Sequence, residues 1–304
     1  MAAEFSRMSE GLGAILGRVN CGVVISGNNA IVIDTGIDAD FGRRIAAILS
    51  ENSLQLVAIL NTHAHSDHFS GNAILVERTS AKVFCPKIES DTLRNPELEG
   101  YALWGMAKSP TGTKNKHLMG VQSPVDFEIS KEGPVLHLPE AFSIDAISLP
   151  GHSFNQMGYL SQGTLFAGDS IFSGETIEKH KLLFCSDVGR ALSTLNKIKE
   201  LHSEGKITRV VPSHGSVFSG EEIPGILERN KSGLSSAAET VLSFVSSCTV
   251  EDMVSKYAGS IGQSFSLTQY FLHLTIFKAH LSYLEETGKV RSEMRENRLI
   301  WDKR

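Results

Sequence analysis

Between His63 and His68 the chain places three imidazoles and a carboxylate, His63, His65, Asp67 and His68, directly behind the apolar run Leu56-Val57-Ala58-Ile59-Leu60. A strand that ends in such a cluster aims alternate side chains at one point. Each of the four can offer a lone pair to a borderline cation such as zinc. Unconstrained loops rarely collect this set of ligands, so a metal site is the stronger reading and a solvated polar loop the weaker one. One loop cannot enclose two metals, and the remaining ligands are expected later in the chain.

Three later segments share the habit of a short apolar run ending in a Gly- or Pro-marked turn that bears one ligand-capable residue. Pro150-Gly151-His152-Ser153 follows the alternating run Phe142 to Leu149; Phe166-Ala167-Gly168-Asp169-Ser170 follows Thr164-Leu165; Pro212-Ser213-His214-Gly215 follows Arg209-Val210-Val211. Strand ends of this kind converge when they share one rim of a sheet or sandwich.

In this arrangement the chain resembles the metallo-β-lactamase superfamily of metallohydrolases. Five motifs stand in order over about residues 12 to 220: Asp34 in Val32-Ile33-Asp34-Thr35-Gly36, the His63/His65/Asp67/His68 block, His152, Asp169 and His214. The resemblance implies an α/β fold of αββα type, two sheets face to face with helices outside. It also implies that His63, His65 and His152 bind one metal, that Asp67, His68 and His214 bind a second, and that Asp169 bridges them. The cofactor is then two divalent metal ions, zinc first, with iron or manganese as alternatives. An aspartate rather than a cysteine at position 169 resembles the glyoxalase II, lactonase and phosphodiesterase branches. Iron-dependent persulfide dioxygenases share the histidine and aspartate pattern and supply a redox alternative, against which the second site with His68 and His214 favours hydrolysis.

Chemistry supports the same assignment. Two divalent ions about 3.5–4 Å apart hold a shared water, bring its pKa toward neutrality and present hydroxide to a carbonyl or phosphorus. No serine or cysteine nucleophile is then needed, and Asp67 or Asp169 is the catalytic carboxylate that takes or returns the proton. Esters, thioesters, lactones, lactams and phosphodiesters all suit such a nucleophile. Asp34, closing the apolar run Ala30-Ile31-Val32-Ile33, is a candidate to receive the outward ring N–H of a ligating histidine; a plain turn aspartate ahead of Gly36 is its alternative. His117, His137, His180, His202, His273 and His280 lie outside the motifs, and of these His180, flanked by Lys179 and Lys181, is best placed for substrate contact.

The hydrophobic fraction of 41% is ample for a buried core, and a formal charge of −5 supports neither a nucleic-acid nor a membrane surface. No apolar stretch approaches the roughly 20 residues that span a bilayer. Met1-Ala2-Ala3-Glu4-Phe5 lacks the basic start and apolar core of a signal peptide, so a cytoplasmic location is expected. The expected partner is a small-molecule substrate, with self-association into a homo-oligomer left open. Cys21, Cys85, Cys185 and Cys248 form no CxxC pair and read as free thiols. Cys185 is the one with an open catalytic or metal-binding alternative, beside Leu182-Leu183-Phe184, which reads as buried strand.

Strands are expected at about 13–18, 20–26, 29–34, 56–61 and 81–85, with helices near 38–51, 67–78 and 192–198. Residues 95–124 are the least regular stretch and read equally as a lid or partner contact, with Trp104 and Met106 as an apolar substrate wall and Lys114 or Lys116 meeting an anion, or as a solvated surface loop with one aromatic plug. Composition turns helical beyond residue 220. Helices at 235–245, from Thr249 and at 266–286 precede two short runs, Lys289-Val290-Arg291 and Arg298-Leu299-Ile300-Trp301, suited to a hairpin. This resembles a winged-helix appendage, and it divides the chain into a catalytic domain at 1–225 and a small, mainly helical domain at 226–304. Glu285, Glu286, Glu293, Glu296 and Asp302 dilute the basic residues of that appendage, so nucleic-acid processing stays the weaker use and packing on the catalytic domain or a second subunit the stronger.

Overall fold

The structure, a computed structural model, describes residues 4–304. The chain opens with an antiparallel meander of β1 (Glu4–Arg7), β2 (Leu12–Leu16), β3 (Cys21–Ser26) and β4 (Asn29–Ile33). Helix α1 (Ala39–Glu51) returns the chain to β5 (Gln55–Leu60), which pairs parallel with β4. Asp38 caps α1 by accepting from the Phe41 N–H at 3.0 Å, and Ile45, Ile48 and Leu49 form its buried stripe. Two short helices follow, α2 (Ser66–Phe69) and α3 (Asn72–Thr79), then β6 (Lys82–Pro86). The single helix expected over 67–78 is therefore broken at Ser70-Gly71. The break lets the chain pass close to Thr35, where a Cβ on Gly71 would lie 2.3 Å from the Thr35 carbonyl oxygen.

Helices α4 (Glu89–Arg94) and α5 (Glu97–Leu103) and a 3₁₀ turn at Thr111–Thr113 lead to β7 (Phe127–Ile129), the last strand of a seven-stranded sheet in sequential order. The stretch after residue 95 is thus partly helical, where the sequence reads as irregular. A second sheet, ordered β13-β12-β11-β10-β9-β8, contains β8 (Gly133–Pro134), β9 (Asp145–Ser148), β10 (Met157–Ser161), β11 (Thr164–Gly168), β12 (Arg209–Pro212) and β13 (Phe218–Ser219). The alternating run from Phe142 is strand only from Asp145. Between β11 and β12 lie α6 (Gly174–Lys179) and α7 (Val188–Ser203), a crossover that makes those two strands parallel.

Alternation along the strands builds the layers. Val24, Ile31, Ile33 and Leu60 face inward onto Ala146, Tyr159, Phe166 and Val211 of the second sheet, while Val23, Ile25, Ala30, Val32 and Ile59 face outward onto Ile45, Ile48, Leu49 and Leu75 of α1 and α3. Because both faces are covered, these strands read as continuous apolar runs. On the far side, Leu149, Leu165, Ala167 and Val210 pack under Leu195 and Ile198 of α7 and Ile223, Ile226 and Leu227 of α8 (Glu222–Phe244). The result is the αββα sandwich.

Helix α8 runs unbroken through residue 225, so its first half roofs the second sheet and its second half enters another core. That core joins Val241 to Met253 and Val254 of α9 (Val250–Ser260), Phe277, Leu281 and Leu284 of α10 (Leu267–Glu286), and Val290 and Trp301 of the hairpin β14 (Val290–Arg295) and β15 (Arg298–Lys303). Reciprocal capping boxes start α9 and α10, Thr249 with Asp252 and Ser266 with Gln269. Leu182 and Phe184 also pack into this core, and Ala279 of α10 meets Cys185 and Val188. Residues 182–184, expected as strand, are an irregular segment wedged between sandwich and C-terminal helices. No helix among the described residues is long and apolar enough to cross a membrane.

Candidate metal centre

All seven of His63, His65, Asp67, His68, His152, Asp169 and His214 meet at one end of the sandwich. Their ligand atoms fall into three tight groups: His63, His65 and His152; His63, His68 and Asp169; and Asp67, His68 and His214, each within 4.8 Å. The block from His63 leaves the end of β5, His152 follows β9, Asp169 follows β11 and His214 follows β12. None of the other six histidines joins such a group among the described residues.

Hydrogen bonds settle which nitrogen of four imidazoles faces inward. Asp34 accepts from the Thr62 N–H at 2.8 Å, from the Thr62 hydroxyl at 2.7 Å and from His68 Nδ1 at 2.9 Å. Since the Thr62 hydroxyl proton is committed to Asp34, that oxygen accepts from His63 Nδ1, 3.0 Å away. His152 Nδ1 donates to the Phe184 carbonyl at 3.1 Å, and His214 Nδ1 to the Arg18 carbonyl at 2.9 Å; a carbonyl can only accept. Nε2 of each therefore points inward, unprotonated in neutral His63 and His152 and carrying, in His68 and His214, the proton that a cation would displace.

These inward atoms lack ordinary partners. His63 Nε2 lies 3.0 Å from His65 Nδ1, which lies 2.9 Å from His152 Nε2, so three ring nitrogens crowd one point with at most one proton to share. Burial, then neighbouring imidazoles, pushes His63 well below the usual histidine range; burial takes His65 down to about 4 and His152 to about 3. All three stay neutral, as ligands must be. Buried His68 Nε2 and Asp169 Oδ1 have no hydrogen-bond partner. Asp169 Oδ2 sits 3.3 Å from His152 Nε2, 3.6 Å from His68 Nε2 and 3.5 Å from His214 Nε2, while Asp67 reaches His68 at 3.6 Å and His214 at 3.5 Å. Ligand-capable nitrogen and oxygen atoms crowded on one small volume, two of them without a hydrogen-bond partner, fit divalent cations of the zinc type. Burial opposes ionisation of Asp67 and Asp169, but the facing histidines overcome it and hold both carboxylates ionised, Asp169 well below the usual range. The Asp169 carboxylate in turn raises His214 to about 10.

A cleft of about 810 Å³ opens beside the cluster, lined by Leu16, Phe172, Leu183 and Phe184 and, on its polar side, by Arg18, Lys179 and His180. His180 thus borders the site as its position in sequence suggests. Trp104 does not: it packs edge-on against Phe271 of α10, ring centroids 5.3 Å apart. Lys114 pairs with Glu97 at 3.3 Å and Lys116 with Asp38 at 3.4 Å, so both meet the protein's own carboxylates. The expected lid does touch the ligand loop through its backbone, where the Lys116 carbonyl accepts from Ser66 Oγ at 2.8 Å. Cys185 is no ligand; its buried thiol, pushed up to about 12 by burial, contacts the Gly151 carbonyl at 3.3 Å. Sequence reasoning passes over Asn20, whose amide donates to the Pro212 and Gly215 carbonyls at 2.9 and 2.8 Å and so fixes the His214 turn. It also passes over the Phe184 and Arg18 carbonyls, since a backbone acceptor carries no residue signature.

Comparison with known proteins agrees with this geometry. The family model of the metallo-beta-lactamase superfamily matches residues 14–214. A hydroxyacylglutathione hydrolase of Methylobacillus flagellatus is 28% identical over 174 residues, 57% of this chain and 54% of that protein. A lactamase-like protein of Trichophyton rubrum is 26% identical over 236 residues, 74% of this chain and 60% of that protein. The chain thus spans only about half the length of the curated relatives it matches. Among solved structures, a beta-lactamase domain protein from Burkholderia ambifaria superposes with a TM-score of 0.71 at 16% identity, covering 99% of this chain and 94% of that one. A metallo-beta-lactamase family protein from Thermus thermophilus gives 0.70 at 16% identity, covering 100% and 98%. With the five motifs assembled on an αββα sandwich and the family model matched from Ala14 to His214, this chain belongs to the metallo-beta-lactamase superfamily.

Proposed function

We propose that the protein is a hydrolase that works with two divalent cations, His63, His65 and His152 holding one, Asp67, His68 and His214 the other, and Asp169 shared between them. The observation that carries this reading is the set of buried, partnerless polar atoms, His68 Nε2 and Asp169 Oδ1 above all, beside three crowded imidazole nitrogens. Bound there, such cations polarise a carbonyl or phosphoryl oxygen and make water a nucleophile near neutral pH. The chain's own residues do the rest. Asp34 and Thr62 keep His68 and His63 in the ligating tautomer. Asp67, the more open carboxylate with 30% of its side chain exposed against 7% for Asp169, takes a proton at the mouth of the site and returns it to the leaving group. Phe172, Leu183 and Phe184 exclude water from one wall of the cleft, and Arg18 and Lys179 meet an anionic portion of the substrate at the other.

An acyl substrate, a thioester first, is the class that suits this cleft and the relatives named hydroxyacylglutathione hydrolase. The test is initial rates of zinc- and manganese-loaded protein on matched chromogenic thioester, lactone, lactam and phosphodiester substrates. Metal-dependent thioester turnover, lost by at least about a hundredfold in Asp169→Ala, is expected. Turnover of the phosphodiester alone would replace the acyl reading, and undiminished activity of Asp169→Ala would refute the mechanism.

A further inference from the structure

The two ligand loops that form the first imidazole group come from different sheets, and the sequence separates His65 from His152 by 87 positions. On one flank the sheets are joined near these loops by Met157 N–H donating to the Thr62 carbonyl at 3.0 Å and by the Tyr159 hydroxyl donating to the Asn61 carbonyl at 2.7 Å. The two loops are also joined directly by a side chain outside all five motifs. Glu89, the first residue of α4 and only 7% exposed, accepts from the Ala64 N–H at 3.1 Å with Oε2, and from Ser153 Oγ at 2.7 Å and the Asn155 N–H at 2.9 Å with Oε1. Ala64 stands between His63 and His65, and Ser153 follows His152. Among the described residues Glu89 forms no ion pair, so these donors are what compensates the burial of its carboxylate.

We propose that Glu89 is a positioning residue for the first metal position: its carboxylate staples the His63–His65 loop to the His152 loop and sets the spacing of the three ring nitrogens. The inference rests on the metal-dependent reading of the site. An α4 carboxylate is suited to the task because each oxygen accepts from a different loop, and an amide cannot do the same. In Glu89→Gln the NH₂ group faces either the Ala64 N–H or the Asn155 N–H, so one backbone donor loses its acceptor whichever way the amide turns, even if Ser153 Oγ rotates to accept from the amide. The helix and the side-chain volume stay as they are.

The experiment is zinc titration of the metal-free full-length chain against a fluorescent chelator, with the cobalt absorption spectrum as a second readout. Glu89→Gln is expected to weaken zinc binding by about tenfold to a hundredfold and to alter the cobalt spectrum, with Glu89→Asp recovering the larger part. Ser153→Ala, which removes a single donor, is expected to shift affinity the same way by several-fold, and it decides the matter should Glu89→Gln fail to fold. If wild type binds zinc and the variants bind it equally, with melting temperatures of the metal-free and loaded forms lowered in parallel, Glu89 is only a structural residue and the proposal is overturned. If wild type itself binds no zinc, the metal-dependent reading and this inference fall together.

Discussion

Asp34 shows how much of the centre depends on a residue that does not itself reach its middle. One carboxylate accepts three hydrogen bonds, two from Thr62 and one from His68, and through Thr62 it governs His63 as well. Its backbone sits at φ +60°, a left-handed conformation that aspartate tolerates better than most residues. Asp34→Asn keeps the shape but presents an NH₂ where an acceptor is needed. Turnover is expected to fall about tenfold to a hundredfold with weakened metal binding, to be measured as kcat/KM alongside metal content. His214 sets a pH dependence. Its pKa is raised from 6.5 to about 10, chiefly by Asp169, so the metal-free chain carries an imidazolium there at neutral pH. The stabilisation from that pair is fully present below the ordinary histidine pKa and is lost as pH rises through about 10. A cation taking Nε2 must displace the proton, so zinc affinity is expected to rise with pH between 6.5 and 10. His68 is likewise raised well above the usual range, where the facing carboxylates of Asp67, Asp169 and Asp34 outweigh its burial. Calorimetry in buffers of different ionisation enthalpy should detect about one released proton from His214 and a second from His68; binding with no proton release would contradict the assignment.

At the scale of elements, the candidate ligands lie just past strand ends because the strands themselves are fully used in burial. Apolar runs such as Ala30–Ile33 and Leu56–Leu60 mark β4 and β5 correctly, and the turn signals after them locate the ligands. The turns need glycine for reasons visible only in three dimensions. Gly151 has φ +132°, and a Cβ there would lie 2.4 Å from the Ala191 backbone nitrogen in the first turn of α7. Gly151→Ala is expected to cost about 1–3 kcal/mol and to displace His152, read as a lower melting temperature together with lost zinc stoichiometry. Helix boundaries are less legible. The break between α2 and α3 follows from the close approach of Gly71 to Thr35, and the irregular path of 182–184 from its burial between two cores; periodicity reports neither.

For the whole molecule, the centre is the place where two sheets, a crossover helix and the C-terminal helices share one edge. The Phe184 carbonyl that orients His152 belongs to a segment whose side chains pack into the C-terminal core, so that region supports the centre without supplying a ligand. Metal bound only by the folded chain stabilises it by mass action, about 4 kcal/mol at a free concentration a thousandfold above Kd. Chelation is therefore expected to lower the melting temperature by roughly 10 °C, restored on adding zinc; an unchanged melting temperature would mean that the cluster holds no metal. The sequence by itself marked the seven residues that meet, because turn residues and ligand chemistry are local and survive in a linear string, and it carried the sandwich class through the resemblance of those motifs to the metallo-β-lactamase superfamily. Only the tertiary structure decided that α8 bridges the two cores, that Trp104 faces α10 and not the cleft, and that Asn20, Glu89, Arg18 and Phe184 hydrogen-bond the turns and rings of the candidate ligands. Those contacts join residues far apart in the chain, often through backbone carbonyls that every residue has, and packing alone selects which of them meet.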